Sequence, residues 1–166
     1  FDRLTGDNPK STLVATGTGS GKTECFLYPL LEHCARERAA GKAGIKAIVI
    51  YPMNALATDQ AKRFAEVVYE DAQLNGNLTV GEYVGGKSSE AGGRGASVMS
   101  KHMVITDKEM IRRSPPDILL TNYKMLDYLL ARPQNQKIWH LNEAEALRYL
   151  VVDELHTFDG AQGTDL

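Results

Sequence analysis

Short apolar runs alternate with longer amphipathic stretches along this chain, and this alternation limits the folds available to it. The apolar runs predict strands at residues 11–16, 45–51, 78–84, 118–121 and 147–153. The amphipathic stretches predict helices at residues 22–38, 54–72, 123–131 and 142–146, and a capping box of Thr106 with Glu109 predicts a short helix ending at Arg113. Repeated strand–helix units favour one α/β domain with a mostly parallel central sheet flanked by helices on both faces.

Glycine and proline interrupt this pattern at three places. Pro29 lies inside the first predicted helix, where it should kink or break it. Gly41 and Gly44 should turn the chain into the next strand. Residues 85–97 read G-G-K-S-S-E-A-G-G-R-G-A-S, and we expect this glycine-rich loop to be the least ordered part of the chain.

Composition excludes a few classes of protein. The 166 residues are 43% hydrophobic and 24% charged, which is typical of one soluble domain. No apolar run is long enough to cross a membrane. The net charge of −2 argues against a globally basic nucleic-acid-binding protein but permits a local groove. Cys25 and Cys34 should face opposite sides of one helix, which favours reduced thiols and a cytoplasmic location.

The most specific motif is T-G-T-G-S-G-K-T at residues 16–23, between an apolar run and a helix start. Its glycines let successive backbone N–H groups point at phosphate oxygens, and the helix N-terminus adds partial positive charge. Lys22 should reach the outer phosphates of ATP, and the Thr23 hydroxyl should coordinate Mg²⁺. Thr16 stands where the strict pattern has glycine, and the competing interpretation is a glycine-rich surface turn. The predicted nucleotide-binding residues are Thr16, Gly17, Thr18, Gly19, Ser20, Gly21, Lys22, Thr23 and Glu24.

An acidic pair follows the last apolar run. Asp153 and Glu154 should emerge at the carboxyl edge of the sheet, where the glycine loop also lies. There Asp153 could hold Mg²⁺ through its water shell, and Glu154 could polarise the water that attacks the γ-phosphate. Such a pair alone is weak evidence, since acidic residues end many strands as solvated charges. His156 could couple this site to a second domain or serve as a polar cap. The predicted catalytic residues are Lys22, Asp153, Glu154 and His156.

Taken together, these motifs resemble the superfamily-2 helicases of the DEAD/DEAH-box type. T-G-T-G-S-G-K-T-E is similar to motif I, and D-E-L-H at residues 153–156 is similar to a DEVH or DEAH form of motif II. The resemblance implies a three-layer, RecA-like P-loop NTPase fold and ATP-driven movement on nucleic acid. The longer string D-E-L-H-T-F-D-G-A-Q-G-T-D-L looks most like large bacterial MrfA-like and Lhr-like DNA helicases, and the D-E-L-H spelling favours DNA over RNA.

Three segments resemble the parts of this family that touch the nucleic-acid backbone. Residues 51–60 (Y-P-M-N-A-L-A-T-D-Q) resemble motif Ia, residues 121–123 resemble motif Ib, and a glycine pair lies between them. Small hydroxyls and backbone N–H groups there can hold phosphates without reading bases, as a translocating motor requires. The nucleic-acid-binding residues implied by the resemblance are Pro52, Met53, Asn54, Gly85, Gly86, Thr121 and Asn122.

Some family segments have no match in this chain. No adenine-recognising glutamine precedes motif I, and no Ser-Ala-Thr segment or second RecA-like domain follows motif II. We therefore expect residues 1–166 to be a helicase ATP-binding domain truncated at both ends, whose partner domain supplies an arginine for hydrolysis. Three alternatives stay open: a P-loop ATPase that remodels proteins, a nucleotide-dependent scaffold without turnover, and, more distantly, a small-molecule kinase.

Overall fold

A four-stranded sheet forms the centre of the computed structural model, which describes residues 3–5, 9–15, 21–85 and 95–158. The strands are β1 (Ala47–Tyr51), β2 (Val80–Tyr83), β3 (Ile118–Asn122) and β4 (Tyr149–Val152). Their order is β2-β3-β1-β4, and every pair is parallel. The predicted parallel α/β sheet is confirmed, and all four carboxyl ends meet at one edge.

Four α-helices cover the sheet. They are α1 (Lys22–Ala39), α2 (Asn54–Glu70), α3 (Lys108–Arg113) and α4 (Tyr123–Ala131). Short 3-10 helices follow at Pro133–Trp139 and Leu155–Thr157. Helices α1 and α2 pack on one face through residues such as Leu30 and Phe64, while Ile111 of α3 and Leu129 of α4 pack on the other. Because both faces are covered, the strands read as continuous apolar runs, as a buried parallel sheet requires.

A buried ion pair ties the amino ends of the strands together. Lys46 lies just before β1 and donates to Asp117, just before β3, at 2.8 Å, and both side chains are almost fully buried. Asp117 also accepts from Thr79 and from Arg38 at the end of α1. Two buried charges are tolerated here because several donors satisfy the carboxylate.

The predicted first strand is wrong over its described part. Residues 11–15 have no regular secondary structure, and Leu13 is 78% exposed. Among the described residues nothing pairs with the outer edge of β4, where Leu150 is 60% exposed. Thr16, the last residue of that prediction, lies outside the described residues.

Two further local predictions are also wrong. Residues 142–146 form turns, not a helix, because the Asn142 side chain bonds to both the backbone N–H and C=O of Ile45 and Glu145 adopts a positive φ of 68°. The cap of α3 is Asp107, which accepts from the N–H groups of residues 109 and 110, while the hydroxyl of Thr106 accepts from Ala96. Asp107 is one residue nearer the helix than Thr106, so its carboxylate reaches those N–H groups.

Helix α1 continues past Pro29 without a break, so of the two effects predicted for this proline the break is wrong. The proline removes only the hydrogen bond that its N–H would donate one turn earlier. Gly41 and Gly44 take positive φ of 81° and 83°, as the predicted turn requires. Most of the glycine-rich loop, residues 86–94, lies outside the described residues.

Candidate nucleotide and nucleic-acid site

The start of α1 presents an uncapped helix N-terminus at the carboxyl edge of the sheet. Gly21 is the N-cap residue, with φ of 77° and no side chain to cap the first turn. A left-handed residue of this kind favours glycine, and it leaves the first N–H groups of α1 available to an anion. Lys22 and Thr23 occupy that first turn. Thr16, Gly17, Thr18, Gly19 and Ser20 lie outside the described residues, so only the end of the predicted phosphate loop has a described geometry.

The predicted acidic pair lies directly after β4. The backbone N–H of Asp153 continues the ladder by donating to Ile50 at 3.0 Å. Glu154 then takes a left-handed conformation with φ of 50°, which is rare outside glycine and which ends the strand sharply. The Asp153 carboxylate accepts from the Glu154 N–H at 2.8 Å. Backbone strain of this kind is concentrated at functional sites.

Electrostatics link this acidic pair to α1. Burial raises the pKa of Asp153, and the neighbouring Glu154 raises it further. The Glu154 N–H and the Lys22 ammonium act in the opposite direction and lower that pKa. The Lys22 ammonium is therefore close enough to act on the Asp153 carboxylate, although 131 positions separate the two residues in the sequence.

His156 lies at the rim of this site. Its side chain is 73% exposed, and its Nδ1 lies 3.3 Å from a Glu154 carboxylate oxygen. Thr157 anchors the same turn, since both its N–H and its hydroxyl donate to the Glu154 carbonyl at 2.8 Å. The short 3-10 helix therefore holds Glu154 by its backbone and leaves its carboxylate in reach of His156.

The three segments implied to bind nucleic acid converge on Asn54. The Asn54 side chain donates to the backbone carbonyl of Gly85 and accepts from the amide of Asn122 at 2.5 Å. The Asn122 oxygen in turn caps α4 by accepting from Met125 N–H at 2.9 Å. The hydroxyl of Thr121 donates to the carbonyl of Tyr83 at 2.6 Å. The ends of β1, β2 and β3 are thus tied together, and Asn54, Gly85 and Asn122 form a partly exposed polar surface there. Thr121 is fully buried beneath it, so the structure does not place this predicted residue at the surface.

Helix α2 begins at this surface without a cap. Its N-cap residue is Met53, which offers no side-chain acceptor and is 59% exposed, and Pro52 precedes it with a partly exposed side chain. The first N–H groups of α2 therefore remain available to a phosphate. Gly86, the second glycine of the pair, lies outside the described residues.

One contact at this edge escaped the sequence analysis. Glu24, in the first turn of α1, forms an ion pair with Arg63 of α2. Arg63 lies three residues beyond the segment that resembles motif Ia, so only the helical spacing from Gln60 could have suggested it.

A cleft of about 270 Å³ lies at the opposite, amino edge of the sheet, between the end of α1 and the loop before β4. None of the predicted site residues lines it. Among the described residues, no helix is long and apolar enough to cross a membrane.

Comparisons with known proteins agree with this arrangement. Druantia protein DruE of Escherichia coli (strain UMEA 4076-1) is 26% identical, and the match covers 100% of this chain and 14% of that protein. The uncharacterized ATP-dependent helicase MJ1574 of Methanocaldococcus jannaschii is 26% identical over 96% of this chain and 20% of its own length. The uncharacterized ATP-dependent helicase YprA of Bacillus subtilis is 28% identical over 93% of this chain and 17% of its own length. The chain thus spans between 14% and 20% of these relatives.

The sequence model of the DEAD/DEAH box helicase family matches residues 2–166. With a parallel α/β sheet, a helix N-terminus beside an acidic pair and a match over nearly every residue, the chain belongs to the DEAD/DEAH box helicase family.

Proposed function

We propose that this chain is the ATP-binding half of a motor that moves along nucleic acid and that prefers DNA to RNA. The observation that carries the proposal is a shared sheet edge. Lys22 lies at the start of α1, and the acidic pair lies at the end of β4. The Asn54 surface, formed by Asn54, Gly85 and Asn122, lies at the ends of the other three strands. Nucleotide and strand would therefore bind side by side on one rigid sheet.

The phosphate loop, the acidic pair and His156 have separate roles in this proposal. The N–H groups of residues 17–23 hold the phosphates, and Lys22 neutralises the outer ones. Glu154 accepts a proton from the attacking water while the oxygen of that water approaches the γ-phosphate. Asp153 and the strained backbone at Glu154 fix the direction of that carboxylate. His156 links Glu154 to the part of the protein that closes over the site.

The donor set fits Mg²⁺. A threonine hydroxyl at Thr23 and a carboxylate at Asp153 are hard oxygen donors, and Asp153 already lies within the influence of the α1 start. When bound, the ion would neutralise charge on the β- and γ-phosphates.

A nucleic-acid strand would lie across the Asn54 surface. Free N–H groups of α2 and the amides of Asn54 and Asn122 favour contact with phosphates over contact with bases. Thr121 is fully buried, so its proposed part is to hold the end of β3 against β2 beneath this surface. The D-E-L-H spelling of the acidic segment supports DNA over RNA.

Hydrolysis of ATP needs the second half of a composite active site. We propose that a further RecA-like domain of a longer protein supplies an arginine and alternates its grip on the strand as it closes and opens. The unpaired thiols of Cys25 and Cys34 support a cytoplasmic location for that protein.

The test is ATP turnover by the full-length protein, with and without single-stranded DNA or RNA. Glu154→Gln should lower turnover by about 100-fold or more while bound ATP is retained, because only the water-activating group is lost. Glu143→Gln, an exposed glutamate before β4, is the matched control and should turn over like wild type. Unchanged turnover in Glu154→Gln contradicts the assigned role, and stimulation by an unfolded protein but by neither nucleic acid favours a protein-remodelling ATPase.

A further inference from the structure

The Glu24 carboxylate connects two elements that the proposed function keeps separate. One oxygen pairs with Arg63 of α2. The other is turned back toward the glycine loop, since it lies 3.3 Å from the position a Cβ would take on Gly21. That second oxygen is buried and has no hydrogen-bond partner among the described residues. A carboxylate therefore lies at the end of the phosphate loop, and a cation from another helix balances it.

Helix α2 carries that cation and also begins the nucleic-acid surface. Arg63 lies nine residues beyond Asn54, so about 13 Å of helix separates the ion pair from the strand-binding end. Ala57, Ala61 and Ala65 face the sheet and are almost fully buried, so α2 lies close against it. A packed helix of this kind moves as a rod, and a shift at one end displaces the other.

Glu24 is placed where it would oppose nucleotide binding. Its negative charge lies one residue beyond Thr23, in the turn whose N–H groups would hold the phosphates. The Glu24 carboxylate and the negatively charged phosphates repel each other unless a cation neutralises the carboxylate. Arg63 does so only while α2 lies against α1.

We propose that Glu24 and Arg63 are positioning residues that couple nucleotide binding to strand binding. The proposal rests on the proposed function, and it replaces the direct contact of Glu24 with ATP that the sequence predicts by an indirect, electrostatic role. When α2 is in place, Arg63 masks Glu24 and ATP binds well; when α2 shifts, Glu24 is exposed and ATP is repelled. Because coupling is reciprocal, bound ATP holds α2 and its strand-binding end in place.

A purely stabilising role predicts something different. Both side chains are more than a third exposed, at 39% for Arg63 and 37% for Glu24. Ion pairs at such exposure contribute little to stability. Loss of the pair should therefore leave the fold intact and change ligand binding instead.

The experiment measures two dissociation constants in the full-length protein. The first is Kd for a fluorescent ATP analogue, and the second is Kd for single-stranded DNA with and without a non-hydrolysable ATP analogue. Arg63→Gln should weaken ATP binding by about fivefold or more, because Glu24 is left unmasked. Glu24→Gln should not weaken it, because the repelling charge is gone. Glu24→Gln with Arg63→Gln should recover the affinity that Arg63→Gln alone loses, and all three variants should lose the effect of ATP on DNA affinity.

Lys62→Gln is the matched control. Lys62 is the neighbouring cation on α2 and pairs with the exposed Asp59 at 3.7 Å. Its loss removes the same charge but should change neither ATP affinity nor coupling. Thermal unfolding checks that each variant is folded.

The outcomes separate this proposal from the proposed function. If neither DNA nor RNA stimulates ATP turnover by wild type, the proposed function fails and the coupling pair fails with it. If wild type is stimulated but Arg63→Gln binds ATP like wild type, only the coupling pair is wrong. Should Arg63→Gln not fold, Glu24→Gln decides alone: weaker ATP binding would make Glu24 a direct nucleotide contact and overturn the proposal.

Discussion

At the scale of single residues, burial decides how the carboxylates of this fold behave. Glu82 lies on β2, is 7% exposed and accepts from the Thr58 hydroxyl at 2.6 Å. Burial raises the pKa of Glu82, and the Thr58 hydrogen bond offsets part of that rise. Asp117 is buried too, but it has Lys46, Arg38 and Thr79 as donors. The difference between the two carboxylates is the number of donors that reach them.

The raised pKa of Glu82 predicts that its contribution to the free energy of unfolding depends on pH. A raised pKa means that the folded state holds the proton more tightly than the unfolded chain, whose carboxyl titrates near 4.5. The contribution to stability is therefore full below that value and is lost as pH rises through the folded pKa. Glu82→Gln should be more stable than wild type at neutral pH, and the gain should shrink as pH falls toward 4.5.

Urea unfolding across that pH range measures the effect. Glu32→Gln, an exposed glutamate on α1, is the control and should show no such trend. A gain for Glu82→Gln that is equal at all pH values would mean that packing, not ionisation, explains it.

At the scale of elements, helix ends decide where ligands can bind. Asn122 caps α4, whereas α2 begins at Met53 without a cap. The N-terminus of α4 is therefore capped by a side chain, whereas the first N–H groups of α2 have no side-chain cap and are available to the proposed phosphate. The boundaries of α4 were predicted correctly from periodicity alone, because its apolar stripe and the following Pro133 both act locally.

Asn122 has two duties that a pair of substitutions can separate. Asn122→Ala removes the cap of α4 and should lower the free energy of unfolding by about 1 kcal/mol. Asn122→Asp keeps an acceptor for the Met125 N–H, so α4 keeps its cap, although the hydrogen bond that Asn122 donates to Asn54 is lost. Asn122→Asp should therefore destabilise the fold less than Asn122→Ala, which loses both bonds. The aspartate places a negative charge beside Asn54, however, and should weaken binding of single-stranded DNA.

Unfolding and fluorescence anisotropy measure the two effects. Asn77→Asp adds the same charge in an exposed turn before β2, at the opposite edge, and serves as the control for net charge. Equal loss of DNA affinity in both aspartate variants would show that the Asn54 surface has no special role.

At the scale of the whole molecule, the chain holds one half of the proposed composite site. We predict that the 166-residue chain by itself turns over ATP very slowly, because an arginine from a partner domain is worth ~10³–10⁵ in rate in related NTPases. It should unwind no duplex, since movement needs two domains that close on each other. Comparison of turnover and unwinding between this chain and the full-length protein measures this. Duplex unwinding by the chain alone would contradict it.

The sequence by itself determined the parallel sheet and the edge at which the candidate site residues lie. Polar residues that follow buried strands emerge at the carboxyl ends, so Asp153, Asn122 and Asn54 could be assigned to one edge from local pattern alone. Only the tertiary structure decided which of these side chains meet. The contact between Asn54 and Asn122 spans 68 positions, and the pair of Glu24 with Arg63 joins two helices.

The wrong predictions have the same physical origin. Residues 11–15 have the apolar character of a strand, but they do not pair with the outer edge of β4, and sequence periodicity does not report pairing between distant segments. Residues 142–146 have helical character, but Asn142 is held by Ile45 across 97 positions. Local pattern therefore determined the elements and the edge, while contacts between distant residues decided the loops and the pairing of charges, because their energy depends on distances that only the folded chain sets.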